Sequence, residues 1–146
     1  MEFVIKQFYE LTLDELYKIL KVRTSIFVVE QNCPYQELDD LDQNSYHIYL
    51  EKDNQIIAYA RVISKDNPFH EVSIGRVLVT KRRHGYGTKI VQKAIEVATK
   101  KYHAEKIVIE AQTYVKKMYE NVGFKQISMP FLEDGIEHVK MIYERV

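Results

Sequence analysis

The chain has 146 residues, 46% of them hydrophobic and 29% charged, with 21 basic and 21 acidic side chains that cancel. That length favours one domain, 1–146, around one core, and the charge balance argues against a general nucleic-acid binder. No apolar run is long enough to span a bilayer, Met1–Lys6 lacks a signal-peptide pattern, and the single cysteine, Cys33, makes a reducing cytoplasm the simplest setting.

Glu2 to Phe8 alternates as a strand, with Phe3, Ile5 and Gln7 on one face. Thr12 and Glu15 have capping-box spacing. Leu13, Leu16, Ile19, Leu20 and Ile26-Phe27 then predict a helix running to about Val28. Arg23 falls inside it and reads as a solvated or snorkelling side chain. Glu30 to Asn44 is irregular, with Pro34 and the carboxylates Glu37, Asp39, Asp40 and Asp42. Loops this long in a compact domain are functional or mobile. Two readings stay open: an acidic patch that draws an ammonium group to a cleft, or a solvated acidic loop. The spacing lacks the glycine turn and final glutamate of a calcium loop, so no metal is expected.

Tyr46–Leu50 and Gln55–Ser64 read as strands joined by an Asp53-Asn54 turn. After a break at Asp66-Asn67-Pro68, Phe69 to Thr80 is the next strand. Ile90, Val91, Ala94, Ile95 and Ala98 recur at helical spacing, and that helix ends near Tyr102-His103. Lys106–Ala111 is a buried strand. Thr113 is placed to cap a helix carrying Val115, Met118, Tyr119 and Val122, which Gly123 stops. Phe124–Ser128 and Glu137–Arg145 close the chain around a Glu133-Asp134-Gly135 turn. The order is mixed α/β, about seven strands with three or four helices. The strand–helix–strand unit over 70–111 predicts parallel pairing.

The stretch from Gly75 to Val91 carries the chemistry. An apolar strand, Val77-Leu78-Val79, runs through a basic, glycine-containing turn into a helix. A helix start offers unpaired backbone N–H groups and a positive dipole end, and Arg82, Arg83 and His84 precede it; together these suit a phosphate. The Gly-Lys-Ser/Thr ending of a Walker loop is absent, and the glycine spacing is wrong for a dinucleotide fingerprint.

Arg82-Arg83-His84-Gly85-Tyr86-Gly87 matches Arg/Gln-x-x-Gly-x-Gly/Ala, and Tyr119-Glu120-Asn121-Val122-Gly123-Phe124 matches Tyr-x-x-x-Gly-Phe. With the element order, these motifs resemble the GNAT N-acetyltransferases. Phe27 to Asp39 looks like the ElaA-type branch. One departure stands out: only Thr80 and Lys81 separate Val79 from Arg82, a shorter run-up than the family's.

The resemblance implies a splayed sheet that binds acetyl-CoA and passes its acetyl group directly to a primary amine. The N–H groups of Arg83, His84, Gly85, Tyr86, Gly87 and Thr88 would hold the pyrophosphate, with added charge from Arg82 and Arg83. The backbone of Val77, Leu78 and Val79 would pair with the pantetheine arm and polarise the thioester carbonyl. Tyr119 would be the general acid for the thiolate. Some branches carry a glutamate where Ser73 stands here; Glu71, assigned to the same strand face, is the candidate base. Glu110 and Gln112 on the neighbouring strand would position the acceptor. Cys33 has no histidine near it in sequence, which favours direct transfer over acyl-cysteine chemistry. The expected partner is a cationic small-molecule or protein amine, and homodimer formation is left open. The alternative is a non-catalytic acyl-CoA sensor.

Overall fold

The structure is a computed structural model and describes residues 1–145. Its first strand, β1 (Glu2–Gln7), sits at the edge of a four-stranded antiparallel sheet. Val4 packs towards the first helix, whereas Phe3 lies under the Lys93 ammonium on the other face. That helix, α1 (Leu13–Thr24), starts with the expected capping box. The Glu15 N–H donates to Thr12 Oγ1 at 3.1 Å, and the Thr12 N–H donates to Glu15 Oε1 at 2.8 Å. Burial pushes the Glu15 carboxyl up, but bonds from Thr12, Lys6 and Tyr49 outweigh it and hold it at about 2. The helix does not stop at Val28. It widens into a π-helical stretch, Ser25–Glu30, a rare form that is frequent at functional sites.

β2 (Ser45–Lys52), β3 (Gln55–Ile63) and β4 (Ser73–Val79) complete this sheet in the order β1-β2-β3-β4. Asp53 and Asn54 both take positive φ, 51° and 61°, as a two-residue hairpin demands. β3 is buried from Ile56 to Ile63, since both faces of the sheet are covered. Ile19, Tyr49, Tyr59 and Leu78 form the core beneath α1. On the other face Ala58, Ala60, Val62 and Ile74 pack against α2 (Tyr86–Tyr102) through Ile90, Val91, Ala94 and Ala98.

The second sheet holds β5 (Lys106–Gln112), β8 (Ile136–Glu144) and β6 (Lys125–Gln126), with β7 (Phe131–Glu133) also paired to β8. Asp134 and Gly135, at φ 52° and 77°, make the β7–β8 hairpin. Between β5 and β6 runs the short α3 (Lys116–Asn121). Among the described residues no helix is long and apolar enough to cross a membrane.

Four local expectations are corrected. β6 keeps only two residues of the predicted Phe124–Ser128 strand, and β7 was not foreseen. Thr113 does not cap α3: it opens a 3₁₀ turn, Thr113–Val115, and its hydroxyl donates to the Glu137 carbonyl at 3.3 Å. β4 begins at Ser73 rather than Phe69, which leaves Glu71 in the preceding turn, where its carbonyl accepts from Asn67 Nδ2. Parallel pairing across 70–111 shrinks to one hydrogen bond, from the Val108 N–H to the Val72 carbonyl at 3.0 Å. Beyond it β4 and β5 belong to separate sheets.

Candidate active site

That divergence of β4 from β5 leaves backbone donors and acceptors of both strands without ladder partners facing the gap. Thr80 ends β4 by donating its N–H to the Ile57 carbonyl at 2.8 Å and its hydroxyl to Ile56 at 2.9 Å. The chain then turns through Lys81–Gly85, all exposed, with Arg83 and Gly85 left-handed at φ 66° and 74°. Gly85 is the N-cap of α2 and offers no side chain to its N–H groups. The first bond of the helix runs from the Lys89 N–H to the Gly85 carbonyl, 3.2 Å, so Tyr86, Gly87 and Thr88 keep free donors. No acidic residue occupies this first turn. A diphosphate fits this cradle, because the exposed donors, the dipole and the glycine backbone all favour it.

Of the flanking side chains, Arg82 Nη2 pairs with Glu30 Oε1 at 2.9 Å. His84 stacks on Tyr86 with centroids 5.6 Å apart, and the Lys89 ammonium lies 5.8 Å over the same ring. A Cβ at Gly87 would sit 3.9 Å from both Val79 Cγ1 and Met118 Cε. Gly87 therefore marks where the end of β4, the start of α2 and the helix of Tyr119 converge.

Tyr119 is buried and meets Phe124 edge-on, with centroids 5.6 Å apart. Its hydroxyl has no hydrogen-bond partner among the described residues, yet the wholly enclosed unpaired polar atoms are only Arg61 Nε and Arg76 Nε. The phenol oxygen thus keeps some access to solvent. Burial, and secondarily Tyr114, pushes its pKa upward, so it remains protonated at neutral pH. Gly123 holds φ 112°, and a Cβ there would come within 3.0 Å of the Tyr143 ring. The glycine that stops α3 is also the one that lets Tyr143 pack.

The acidic loop is not a free acidic surface. Arg23 is fully buried, contrary to the solvated reading, and pairs with Glu37 and with Asp42 Oδ1, the latter at 2.7 Å. Arg61 holds both oxygens of Asp39 at 2.8 Å. Arg76 Nη2 donates to the Glu37 carbonyl at 2.7 Å and lies 3.3 Å from Asp39 Oδ2. Asp40 alone of the four carboxylates is exposed and outside this network. Burial raises the Asp39 carboxyl, but the Arg61 and Arg76 guanidiniums outweigh it and bring it to about 2.

A different pair of carboxylates meets between β5 and β7. Glu110 is half-buried and lies against Glu133 of β7; burial and then that neighbouring charge push it up to about 7, with Lys140 opposing. Two residues on, Gln112 and Gln31 exchange side-chain bonds at 3.2 and 3.3 Å. The Cys33 thiol donates to the Asp134 carbonyl at 3.4 Å. The loop after the π-helical stretch is thereby tied to β5, to the β7–β8 turn and, through Arg76, to β4. Sequence patterning missed Glu133, because nothing in it reveals that the β7–β8 hairpin brings Glu133 beside Glu110.

The comparisons with known proteins agree along the chain. A family model described as an acetyltransferase (GNAT) domain matches residues 15–145. A UPF0039 protein of Schizosaccharomyces pombe is 42% identical over 99% of this chain and 97% of its own length. The ElaA protein of Escherichia coli is 36% identical, covering 92% of this chain and 91% of its own. The crystal structure of an acyl-CoA N-acyltransferase from Pseudomonas aeruginosa superposes with a TM-score of 0.91 at 34% identity, covering 98% of this chain and 99% of that one.

Proposed function

The chain belongs to the GNAT acetyltransferase family, on its ElaA-like branch, and from that premise we propose that it transfers the acetyl group of acetyl-CoA to a cationic primary amine. Acyl transfer is the general activity that the family model and the Pseudomonas relative support. The observation that carries the finer reading is the meeting at Gly87 of a donor-rich helix start, the end of β4 where its edge towards β5 has no ladder, and the helix of Tyr119.

In this reading the α2 N–H groups of Tyr86, Gly87 and Thr88 bind the diphosphate. The free backbone of Val77 to Val79 pairs with the amide-bearing arm and directs an N–H at the thioester oxygen, where charge builds during attack. The amine nitrogen forms its bond to the carbonyl carbon as the carbon–sulfur bond breaks, and its remaining surplus proton passes to solvent as the amide forms. Tyr119 gives its proton to the departing thiolate and regains one from that solvent.

An alkylammonium must lose a proton before it attacks. Two carboxylates are available. Glu71 lies in the turn before β4; Glu110 lies on β5, and its pKa of about 7 suits a base working at neutral pH. Glu110 is the better candidate. With Glu133 beside it, it also supplies negative charge that Glu37, Asp39 and Asp42, already paired with arginines, do not.

The test is thiol release from acetyl-CoA across a panel of primary amines. Amine-dependent release supports the reading. Tight CoA binding with no release for any amine would favour the sensor alternative.

A further inference from the structure

Arg76 has an unusual backbone. The β3–β4 register runs Arg61 with Gly75 and Tyr59 with Leu78, so Ala60 faces two residues, Arg76 and Val77. This is a β-bulge. Its left-handed residue is not the available glycine: Arg76 takes φ 53°, and Gly75 has no positive φ. Within a strand ladder, a residue with a Cβ holds that conformation at a cost of about 1 kcal/mol or more, which its surroundings must offset.

The compelling contacts come from the loop. Arg76 Nη2 donates to the Glu37 carbonyl at 2.7 Å, its Nε lies 3.4 Å from Glu37 Oε1, and its guanidinium sits 5.7 Å over the Tyr35 ring. Nε is enclosed without a hydrogen-bond partner of its own, as expected of a side chain whose placement is dictated by its far end. Arg23 and Arg61 in turn anchor Glu37 and Asp39, so the latch is rigid.

We infer that Arg76 is a positioning residue: latched to the loop at Tyr35–Asp39, it holds the β4 bulge that aims the Val77–Val79 backbone into the gap, and so couples the acceptor-side loop to the acyl site. The function of this coupling rests on the acyl-transfer reading; the bulge and its latch do not.

Three variants separate latch from backbone. R76A keeps the strained left-handed demand and loses the latch, so its bulge relaxes. R76G loses the latch but also the demand, so its bulge persists. R76K keeps the demand and a charge but lacks the two-pronged fork. The account expects kcat with acetyl-CoA to fall at least 10-fold in R76A, and R76G to exceed R76A at least fivefold while staying below the wild type. R76K should also fall below R76G, which preserves the contrast if R76A does not fold. Equal losses in all three, or full activity in R76A, would overturn it. Hydrogen exchange at the Val77–Val79 amides, which needs no turnover, should be about 10-fold faster in R76K than in R76G. If the wild type shows no acyl transfer but this contrast appears, the functional reading fails and the latch stands. If exchange is the same in both, the latch is overturned whatever the activity.

Discussion

Arg23 grips Glu37 from inside the protein, with Nη2 donating to Oε2 at 2.7 Å, Nε to the other oxygen, and no part of the arginine exposed. A charge taken out of water is stable only while its counter-charge and hydrogen bonds are in place. R23A would strip Glu37 and Asp42 of their shortest charge partner and leave them buried with only Arg76 at 3.4 Å and Arg61 at 3.0 Å, and urea denaturation should show a loss of about 3 kcal/mol. A change below about 0.5 kcal/mol would mean that the network is solvated.

The same network sets the acid limit. Asp39 is lowered from an ordinary 3.8 to about 2, and Asp42 is lowered as well, with burial opposing and the arginines prevailing in both. A carboxyl with a depressed folded-state pKa stabilises the protein fully above its unfolded value and loses that contribution as the pH falls through the folded one. Stability should therefore drop between about pH 4 and pH 2, and D39N should flatten that slope in a pH series of urea midpoints.

The two loop glycines make unequal demands. Gly85 sits at φ 74° with open space around it, so G85A meets backbone strain alone, about 1 kcal/mol, and should weaken acetyl-CoA binding by disturbing the start of α2. Gly87 has no positive φ, and its added Cβ would make ordinary 3.9 Å contacts. G87A should stay within about 0.5 kcal/mol of the wild type. Calorimetric titration with acetyl-CoA, alongside thermal melts, checks the contrast.

Elements with strong local signals were legible in the sequence. Thr12–Glu15 announced α1, Asp53-Asn54 its hairpin, and Gly85-x-Gly87 with Tyr119 and Gly123-Phe124 the family. The misreadings arose where distant residues decide. Arg23 looks solvated because its partners are 14 and 19 positions away in an irregular loop. The bulge at Arg76 hides because the positive φ falls beside the glycine rather than on it. Glu110 became a candidate base only once the structure showed its burial on β5 with Glu133 of β7 beside it, and the expected β4–β5 ladder failed because strand pattern does not record where two sheets part.

Glu110 reverses the acid-limb logic. Its folded pKa is raised from 4.5 to about 7, so the folded state binds the extra proton, and stability falls as the pH rises between those values. E110Q should remove that decline and raise the melting temperature at pH 8 by about 2–4 °C, a figure moderated by partial solvent screening. As the base, Glu110 also predicts a kcat/KM that rises with pH through about 7, and an E110Q variant slower by about 100-fold or more. E71Q, tested beside it, should lose less.

The most direct test is the proton that the thiolate receives. Acyl transfer from acetyl-CoA should be measured for the wild type and Y119F at saturating amine, with the acetyl-CoA Kd of each determined by calorimetry. Tyr119 is buried, unpaired and held protonated, so its loss should lower kcat by about 100-fold while Kd changes less than about threefold. Unchanged turnover in Y119F would contradict the general-acid assignment and, with it, the placement of the reaction between β4, β5 and α3.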